Sequence, residues 1–160
     1  MSVAFTREES AETAAEVELP DRQISAHPNL VTERGLELLQ TALGEARRTY
    51  EQVQCIEDVN ERRRQSAPVA RDLRYFAARL HSAQLVPLKP GNADIAFGSR
   101  VTFERDDGRR QSFRIVGEDE AEPSQGTISY ASPVARALLG KSIGDVVTVG
   151  GHDIEILAIE

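Results

Sequence analysis

The spacing of apolar residues in the first half of the chain constrains its fold more than any other feature. After Thr32, which can cap a helix beginning at Glu33, apolar residues recur at alternating intervals of three and four. This alternation is the heptad pattern of a coiled-coil seam. About 24 helical residues, at about 1.5 Å each, predict a rod of roughly 35 Å. The seam comprises Leu36, Leu39, Leu43, Ala46, Tyr50 and Val53.

A second heptad seam follows a polar link. Residues 57–67 continue no apolar pattern, and Pro68 predicts a new helix with the proline in its first turn. Two helices with heptad-spaced apolar residues, joined by a polar link, are typical of an antiparallel hairpin. In such a hairpin each helix buries the apolar face of the other. The second seam comprises Val69, Leu73, Phe76, Leu80 and Ala83.

We expect the hairpin to project, because the outer faces of its helices are densely charged. The alternative is two helices packed on the C-terminal core. The charged positions are Glu45, Arg47, Arg48, Glu51, Arg71, Asp72, Arg74 and Arg79.

Residues 87–160 predict a separate α+β domain of about five strands and one short helix. Residues 99–104 alternate as a strand, and Asp107-Gly108 is a hairpin turn signal before the strand at Gln111. That strand ends at Gly117, and an acidic turn, Glu118-Asp119-Glu120, follows it. Further strands are predicted at 127–130, 146–149 and 154–159.

The short helix has a clear start and stop. Ser132 precedes Pro133, so the hydroxyl can serve as N-cap and the proline as the first helical residue. Gly140 follows the last apolar pair and closes the helix. We therefore predict a capped helix between the strand at 127–130 and the strand at 146–149.

Residues 1–28 predict a disordered or loosely docked acidic arm, since they hold few large apolar groups. A short helix over residues 8–18 is the alternative. No run approaches the roughly 20 apolar residues of a membrane span, and no secretory signal is evident. Cys55 is the only cysteine, which excludes an internal disulfide and fits a reducing cytoplasm. We expect a cytoplasmic monomer that does not bind membranes.

The sequence lacks the residues that several classes of activity require. No nucleophile has a base grouped with it, and the sequence has neither a Gly-rich phosphate loop nor a paired-cysteine zinc motif. A prolyl isomerase pocket would need aromatic residues, and the chain is only 5% aromatic with no Trp. The net charge of −7 argues against simple binding to a nucleic-acid backbone.

Two carboxylates in the polar link can support chemistry. Asp58 and Glu61 stand three residues apart, and paired carboxylates can hold a hard cation such as Mg²⁺. A second metal beside a first can generate hydroxide for phosphodiester hydrolysis. The alternative is an ordinary solvated loop in which Glu61 pairs with Arg62 or Arg64.

Three stretches resemble the Gre transcription elongation factors, GreA and GreB. They are LVTERG at 30–35, FRIVGEDE at 113–120 and ISYASPVARALLGKSIGDVV at 128–147. The resemblance runs from about Asn29 to the C-terminus. It implies a coiled-coil hairpin at 29–86 and an FKBP-like domain at 87–160 that docks on RNA polymerase.

The resemblance also implies a mechanism. In the cleavage factors the hairpin enters the secondary channel of the polymerase, and an Asp and a Glu in a D-x-x-E arrangement coordinate the second Mg²⁺ of its active site. Asp58 and Glu61 match that arrangement. The chain would then be an accessory factor with no intrinsic cofactor, acting on nascent RNA indirectly while the polymerase hydrolyses backtracked RNA.

The resemblance further implies which residues meet the polymerase. The docking candidates are Glu118, Asp119, Glu120, Ser132, Pro133 and Arg136. Arg71 and Arg74, in a row with Arg79, would contact acidic channel walls or RNA phosphates. Each has a plainer interpretation: Ser132 caps a helix, Pro133 starts it, and the acids and arginines face solvent.

Two features depart from the family pattern. The predicted hairpin is about two heptads shorter in total than the family's, each heptad per helix being roughly 10 Å. Its link is rich in arginine, at Arg62, Arg63 and Arg64, which would attract phosphate as readily as metal. In its shortened hairpin the chain is similar to Rnk, a Gre-like protein that binds polymerase without promoting cleavage. A stand-alone FKBP-like peptide-binding module is the more remote alternative.

Overall fold

A computed structural model describes residues 19–89 and 91–160 of the chain. These residues divide into two compact units. One unit contains residues 40–81 and the segment that ends at Ser25, and the other contains residues 26–39 and 82–160. The first turns of the first helix therefore group with the C-terminal unit. The alternative helix at 8–18 lies outside the described residues, and residues 19–28 form no helix or strand.

The predicted hairpin is present as two long helices. Helix α1 spans Glu33–Gln54 and helix α2 spans Val59–Ser82. The seam predicted for α1 is the buried face of that helix, since Leu39, Leu43 and Val53 are buried. With 22 residues, α1 is roughly 33 Å long.

The predicted start of the second helix at Pro68 is wrong. Helix α2 begins nine residues earlier, at Val59, and Pro68 lies inside it. The polar stretch is helical because Asp58 caps it and Glu61 pairs with side chains one turn on. Arginine, glutamine and glutamate are also good helix formers, so a lack of apolar residues did not indicate a loop. The two helices are consequently nearly equal in length, with 22 and 24 residues.

A short parallel pair of strands flanks the hairpin in sequence. Strand β1 (Leu30–Val31) precedes α1 and β2 (Gln84–Leu85) follows α2. Leu30 is opposite Gln84, and Val31 is opposite Leu85. The Gln84 amide donates to the Asn29 carbonyl at 2.8 Å, so the chain before α1 is hydrogen-bonded to the chain after α2.

The C-terminal unit contains a five-stranded sheet, which confirms the predicted α+β class. Its strands are β3 (Arg100–Arg105), β4 (Arg110–Val116), β5 (Thr127–Ser129), β6 (Val146–Val149) and β7 (His152–Ile159). The order across the sheet is β5-β4-β3-β7-β6. Neighbours are antiparallel except for the β4–β5 pair, which is parallel. The predicted alternation in β3 holds, since Val101 and Phe103 are both buried.

The predicted short helix is helix α3 (Pro133–Leu138). Ser132 Oγ accepts a hydrogen bond from the Ala135 amide at 3.3 Å, and Gly140 adopts a left-handed φ of 76° just past the helix end. Ala135 and Leu138 are buried with the sheet residues Phe103, Ile115 and Ile156 in one apolar cluster. This core holds β4, β5 and α3 in place, and with them the loops that carry the predicted docking residues.

Across residues 19–89 and 91–160, none of the helices combines the length and the apolar character that crossing a bilayer requires.

Candidate functional site

The turn of the hairpin is a four-residue link, Cys55 to Asp58. The last turn of α1 tightens, because the amides of Cys55 and Ile56 donate to carbonyls three residues back at 3.1 Å. The Arg62 guanidinium donates to the Ile56 carbonyl at 2.9 Å. One arginine of the predicted phosphate-attracting group therefore satisfies a backbone acceptor of the link.

Asp58 is the N-cap of α2. Its Oδ1 accepts a hydrogen bond from the Glu61 amide at 2.7 Å, and its carbonyl accepts the Arg62 amide at 2.9 Å. A short acceptor followed three residues later by Glu is also the spacing of a capping box. The D-x-x-E spacing therefore has a structural cause within this chain that is independent of any metal.

Glu61 is held along the helix. Its Oε2 accepts from Arg64 Nη2 at 2.8 Å, and its Oε1 accepts from Gln65 Nε2 at 2.5 Å. The alternative derived from the sequence, in which Glu61 pairs with a neighbouring arginine, is present with Arg64. The pair is solvent-exposed, at 42% for the Glu61 side chain, so its rearrangement costs little.

The two carboxylates of the link can supply part of the ligand shell of a cation that another molecule also binds. Among the residues the structure describes, no group of three or more Asp, Glu, His or Cys side chains gathers to hold a metal. A carboxylate has about four lone-pair sites, so the bonds described leave acceptor capacity on both Asp58 and Glu61. Two carboxylates fit part of the oxygen shell that Mg²⁺ takes, with the remaining ligands from water or another molecule.

Gly117, the residue before the acidic turn, lies against β1. Gly117 permits this approach, since a Cβ there would lie 2.4 Å from the Leu30 carbonyl oxygen. In the turn that follows, Glu118 and Glu120 are half-buried and Asp119 is exposed. Of the three predicted docking acids, Asp119 is the most accessible to a partner.

Glu120 is bonded to the start of α1. Thr32 Oγ1 donates to Glu120 Oε2 at 2.5 Å and accepts the Gly35 amide at 2.9 Å, which makes Thr32 the predicted cap of that helix. A Cβ at Gly35 would lie 2.8 Å from Glu120 Oε2, so glycine leaves room for the carboxylate. The negative charge sits where the helix macrodipole is positive. Sequence periodicity contains no signal for this bond, which joins residues 88 apart.

The docking residues predicted around α3 also divide into one with a structural role and two that are exposed. Ser132 is half-buried and caps the helix, as its plainer interpretation stated. Pro133 and Arg136 are exposed. The structure thus brings Pro133 and Arg136 onto one short exposed helix and gives Ser132 a local structural role.

The predicted arginine row of α2 is not one solvated face. Arg79 is only 2% exposed, so the expectation that it lies on the outer face is wrong. Arg71 is half-buried, and Arg74 donates from Nε to Asp21 Oδ1 at 2.6 Å. The heptad spacing did not predict that Asp21, which precedes α1, would form an ion pair with Arg74.

A polar cleft of about 740 Å³ lies beside the acidic turn, and the sequence had not indicated it. Its walls carry Arg34 from α1, Arg100 from β3 and Arg114 from β4, together with Asp119 and Glu120. Arg100 and Arg114 are opposite each other across the β3–β4 ladder. Only the strand register, which follows from the turn at Asp107-Gly108, places these two arginines side by side.

Comparison with known proteins identifies relatives of this chain. The family described as "Transcription elongation factor, GreA/GreB, C-term" matches residues 90–160. Transcription elongation factor GreA of Thioalkalivibrio sulfidiphilus is 40% identical over 95 residues, covering 55% of this chain and 60% of the relative. Transcription elongation factor GreB of Neisseria meningitidis serogroup B is 38% identical over 104 residues, covering 61% of this chain and 64% of the relative.

The chain thus spans about three fifths of the length of these curated relatives. Among solved structures, GreA factor homolog 1 (Gfh1) of Thermus thermophilus is 25% identical, with a TM-score of 0.39. That alignment covers 84% of this chain and 99% of the other.

Proposed function

We propose, from the membership of this chain in the Gre family of transcription elongation factors, that it binds RNA polymerase and modulates elongation. The observation that carries the proposal is the joining of a GreA/GreB C-terminal domain to a helical hairpin in one chain. In this proposal the hairpin enters the secondary channel of the polymerase and the C-terminal domain docks at its mouth.

The hairpin turn would deliver carboxylates to the polymerase active site. Mg²⁺ there supplies the activation of a water for phosphodiester hydrolysis. The part of this chain is to bring the Asp58 and Glu61 oxygens to that site on a stiff support. Asp58 can do so without leaving its capping bond, whereas both Glu61 oxygens already accept a hydrogen bond, from Arg64 and from Gln65, that competes with a cation. The chain would be an accessory factor, and the hydrolysis would be the polymerase's own.

A regulator that occupies the same channel without promoting cleavage is the second candidate. The engagement of both Glu61 oxygens by neighbours on α2 favours it, because a ligand already bonded within its own helix is a poorer metal ligand. The arginines around Glu61 favour it as well, since they lower the negative potential that a cation needs.

For docking, the exposed members of the predicted set are the ones we retain. Asp119, Pro133 and Arg136 are exposed, so a partner can reach them directly. Glu120 and Ser132 would act indirectly, by holding the start of α1 and of α3.

An assay on a stalled, backtracked elongation complex with Mg²⁺ separates the two candidates. We expect the chain to shorten the RNA, and Asp58→Asn with Glu61→Gln to abolish that effect while preserving binding. Glu57→Gln is the matched control, since Glu57 is an exposed acid of the same link. Intact RNA with slowed elongation would support the non-cleaving regulator.

Binding to core polymerase tests the shared premise. A pull-down with the full chain should retain the polymerase. If neither the unaltered chain nor its variants associated with the polymerase, both candidates would be contradicted, and the stand-alone peptide-binding module would remain.

A further inference from the structure

The segment before the hairpin makes specific contacts with helix α2. The Arg22 guanidinium donates from Nη1 to Asp72 Oδ1 at 3.1 Å and lies 3.8 Å from the centre of the Tyr75 ring. The next residue back, Asp21, accepts from Arg74 Nε at 2.6 Å. Two adjacent residues of the segment therefore contact three polar or aromatic side chains, at positions 72, 74 and 75, within one helical turn.

The contacts are complementary in charge order. Asp21 meets a cation and Arg22 meets an anion, so shifting the segment by one residue would place like charges together. The aromatic face adds a second kind of recognition, because a guanidinium over a tyrosine ring is attracted by the ring quadrupole. Tyr75 and Phe76 are themselves packed edge to face, at 5.4 Å between ring centres, which fixes the platform under Arg22.

The wider charges favour the same association. Residues 1–28 carry six acidic and two basic residues, for a net charge of −4. Helix α2 carries six arginines and two acidic residues, for a net charge of +4. Each contact is solvent-exposed and weak alone, but attachment to the same chain gives the segment a high effective concentration at α2.

We infer that Asp21 and Arg22 form an intramolecular strap that covers the Asp72–Tyr75 face of α2 and competes with an acidic protein surface for it. The inference rests on the proposed function, since that partner would be the polymerase. The strap places a carboxylate on Arg74 where a partner's carboxylate would otherwise bind. Release of the strap uncovers Arg74 and the ring face of Tyr75 together.

Proteolysis tests docking of the strap without the polymerase. Trypsin can cut after Arg22, and we expect Asp72→Ala to accelerate that cut several-fold in the full chain. Cleavage after Arg109, in the exposed β3–β4 turn, is the internal control and should not change. An unchanged rate at Arg22 in Asp72→Ala would overturn the strap.

Affinity for core polymerase tests the competition. Arg22→Ala should bind about three- to tenfold more tightly than the unaltered chain, the effect of losing one exposed ion pair and one cation–π contact from the competing state. Gln23→Ala, at an exposed neighbouring position, should bind as the unaltered chain does. Equal or weaker binding by Arg22→Ala would overturn the competition.

If no form binds polymerase, the proposed function fails and the competition fails with it. The trypsin result is then still informative, because it reports the contact of Asp21 and Arg22 with α2 independently of any partner.

Discussion

Asp58 has two chemical uses that require the same short side chain. As an N-cap it needs one oxygen at the right distance from the Glu61 amide, and the structure places it at 2.7 Å. As a metal ligand it needs a negative charge. Asparagine supplies the first property without the second, so substitution can separate them.

We therefore predict that Asp58→Ala lowers the free energy of unfolding by about 1 kcal/mol, within a range of about 0.5–2. Asp58→Asn should change it by only a few tenths, because asparagine caps about as well as aspartate. Urea unfolding followed by circular dichroism measures both. Equal losses in the two variants would mean that the charge, and not the cap, stabilises the start of α2.

Two glycines are predicted to respond in opposite directions to the same added methyl group. Gly117→Ala should destabilise the chain by about 1–3 kcal/mol, because its Cβ would lie 2.4 Å from a backbone oxygen that cannot move alone. Gly44→Ala should stabilise it by about 0.5–1 kcal/mol. Gly44 lies within α1, and the nearest atom to its added Cβ is 3.9 Å away. Thermal unfolding of the two variants side by side is the measurement, and a stabilising Gly117→Ala would refute the close approach.

At the scale of elements, the features that were predicted well from the sequence depend on residues close together in the chain. The strands, the hairpin turn at Asp107-Gly108 and the cap of α3 each depend on residues within a few positions of one another. The start of α2 is also encoded locally, in Asp58 and Glu61, whereas Pro68 predicts a start nine residues too late. The bonds from Thr32 to Glu120 and from Arg22 to Asp72 join residues 88 and 50 apart. No periodicity or turn signal reports such pairs, so these two contacts could be found only in the structure.

Pro68 within α2 leads to a prediction about that helix. Proline has no amide hydrogen, so the Arg64 carbonyl lacks its usual partner four residues on, and the ring crowds that carbonyl. Pro68→Ala should raise the free energy of unfolding, by up to about 3 kcal/mol. Calorimetry of the variant gives the change in melting temperature.

Ala67→Ser, at the preceding position of the same helix, is a suitable control for Pro68→Ala and should change stability by only a few tenths of a kcal/mol. A loss of stability in Pro68→Ala would mean that the proline's restriction of the unfolded chain outweighs the missing bond.

At the scale of the whole molecule, docking and stability should be separable. Arg136 is exposed on α3, so Arg136→Glu should leave the melting temperature within about 1 °C of the unaltered chain, as most surface substitutions do. If α3 meets the polymerase, the same change should weaken binding at least about tenfold, since a charge in contact is reversed.

Lys141→Glu makes the same charge change five residues away, at another exposed position, and should affect binding less. Equal effects of Arg136→Glu and Lys141→Glu on affinity would indicate that overall charge governs the association, and that α3 is not the contact.

The β1–β2 pair has a consequence for how the chain can vary. Residues 32–83 lie between the two strands of this ladder, and the start of α1 is also held by the bond from Thr32 to Glu120. Residues added or removed symmetrically within that stretch leave the ladder, and the sheet beyond it, in register. The length of the hairpin is thereby free to change in evolution, or to be set by an engineer one heptad at a time, while the β1–β2 pairing is kept.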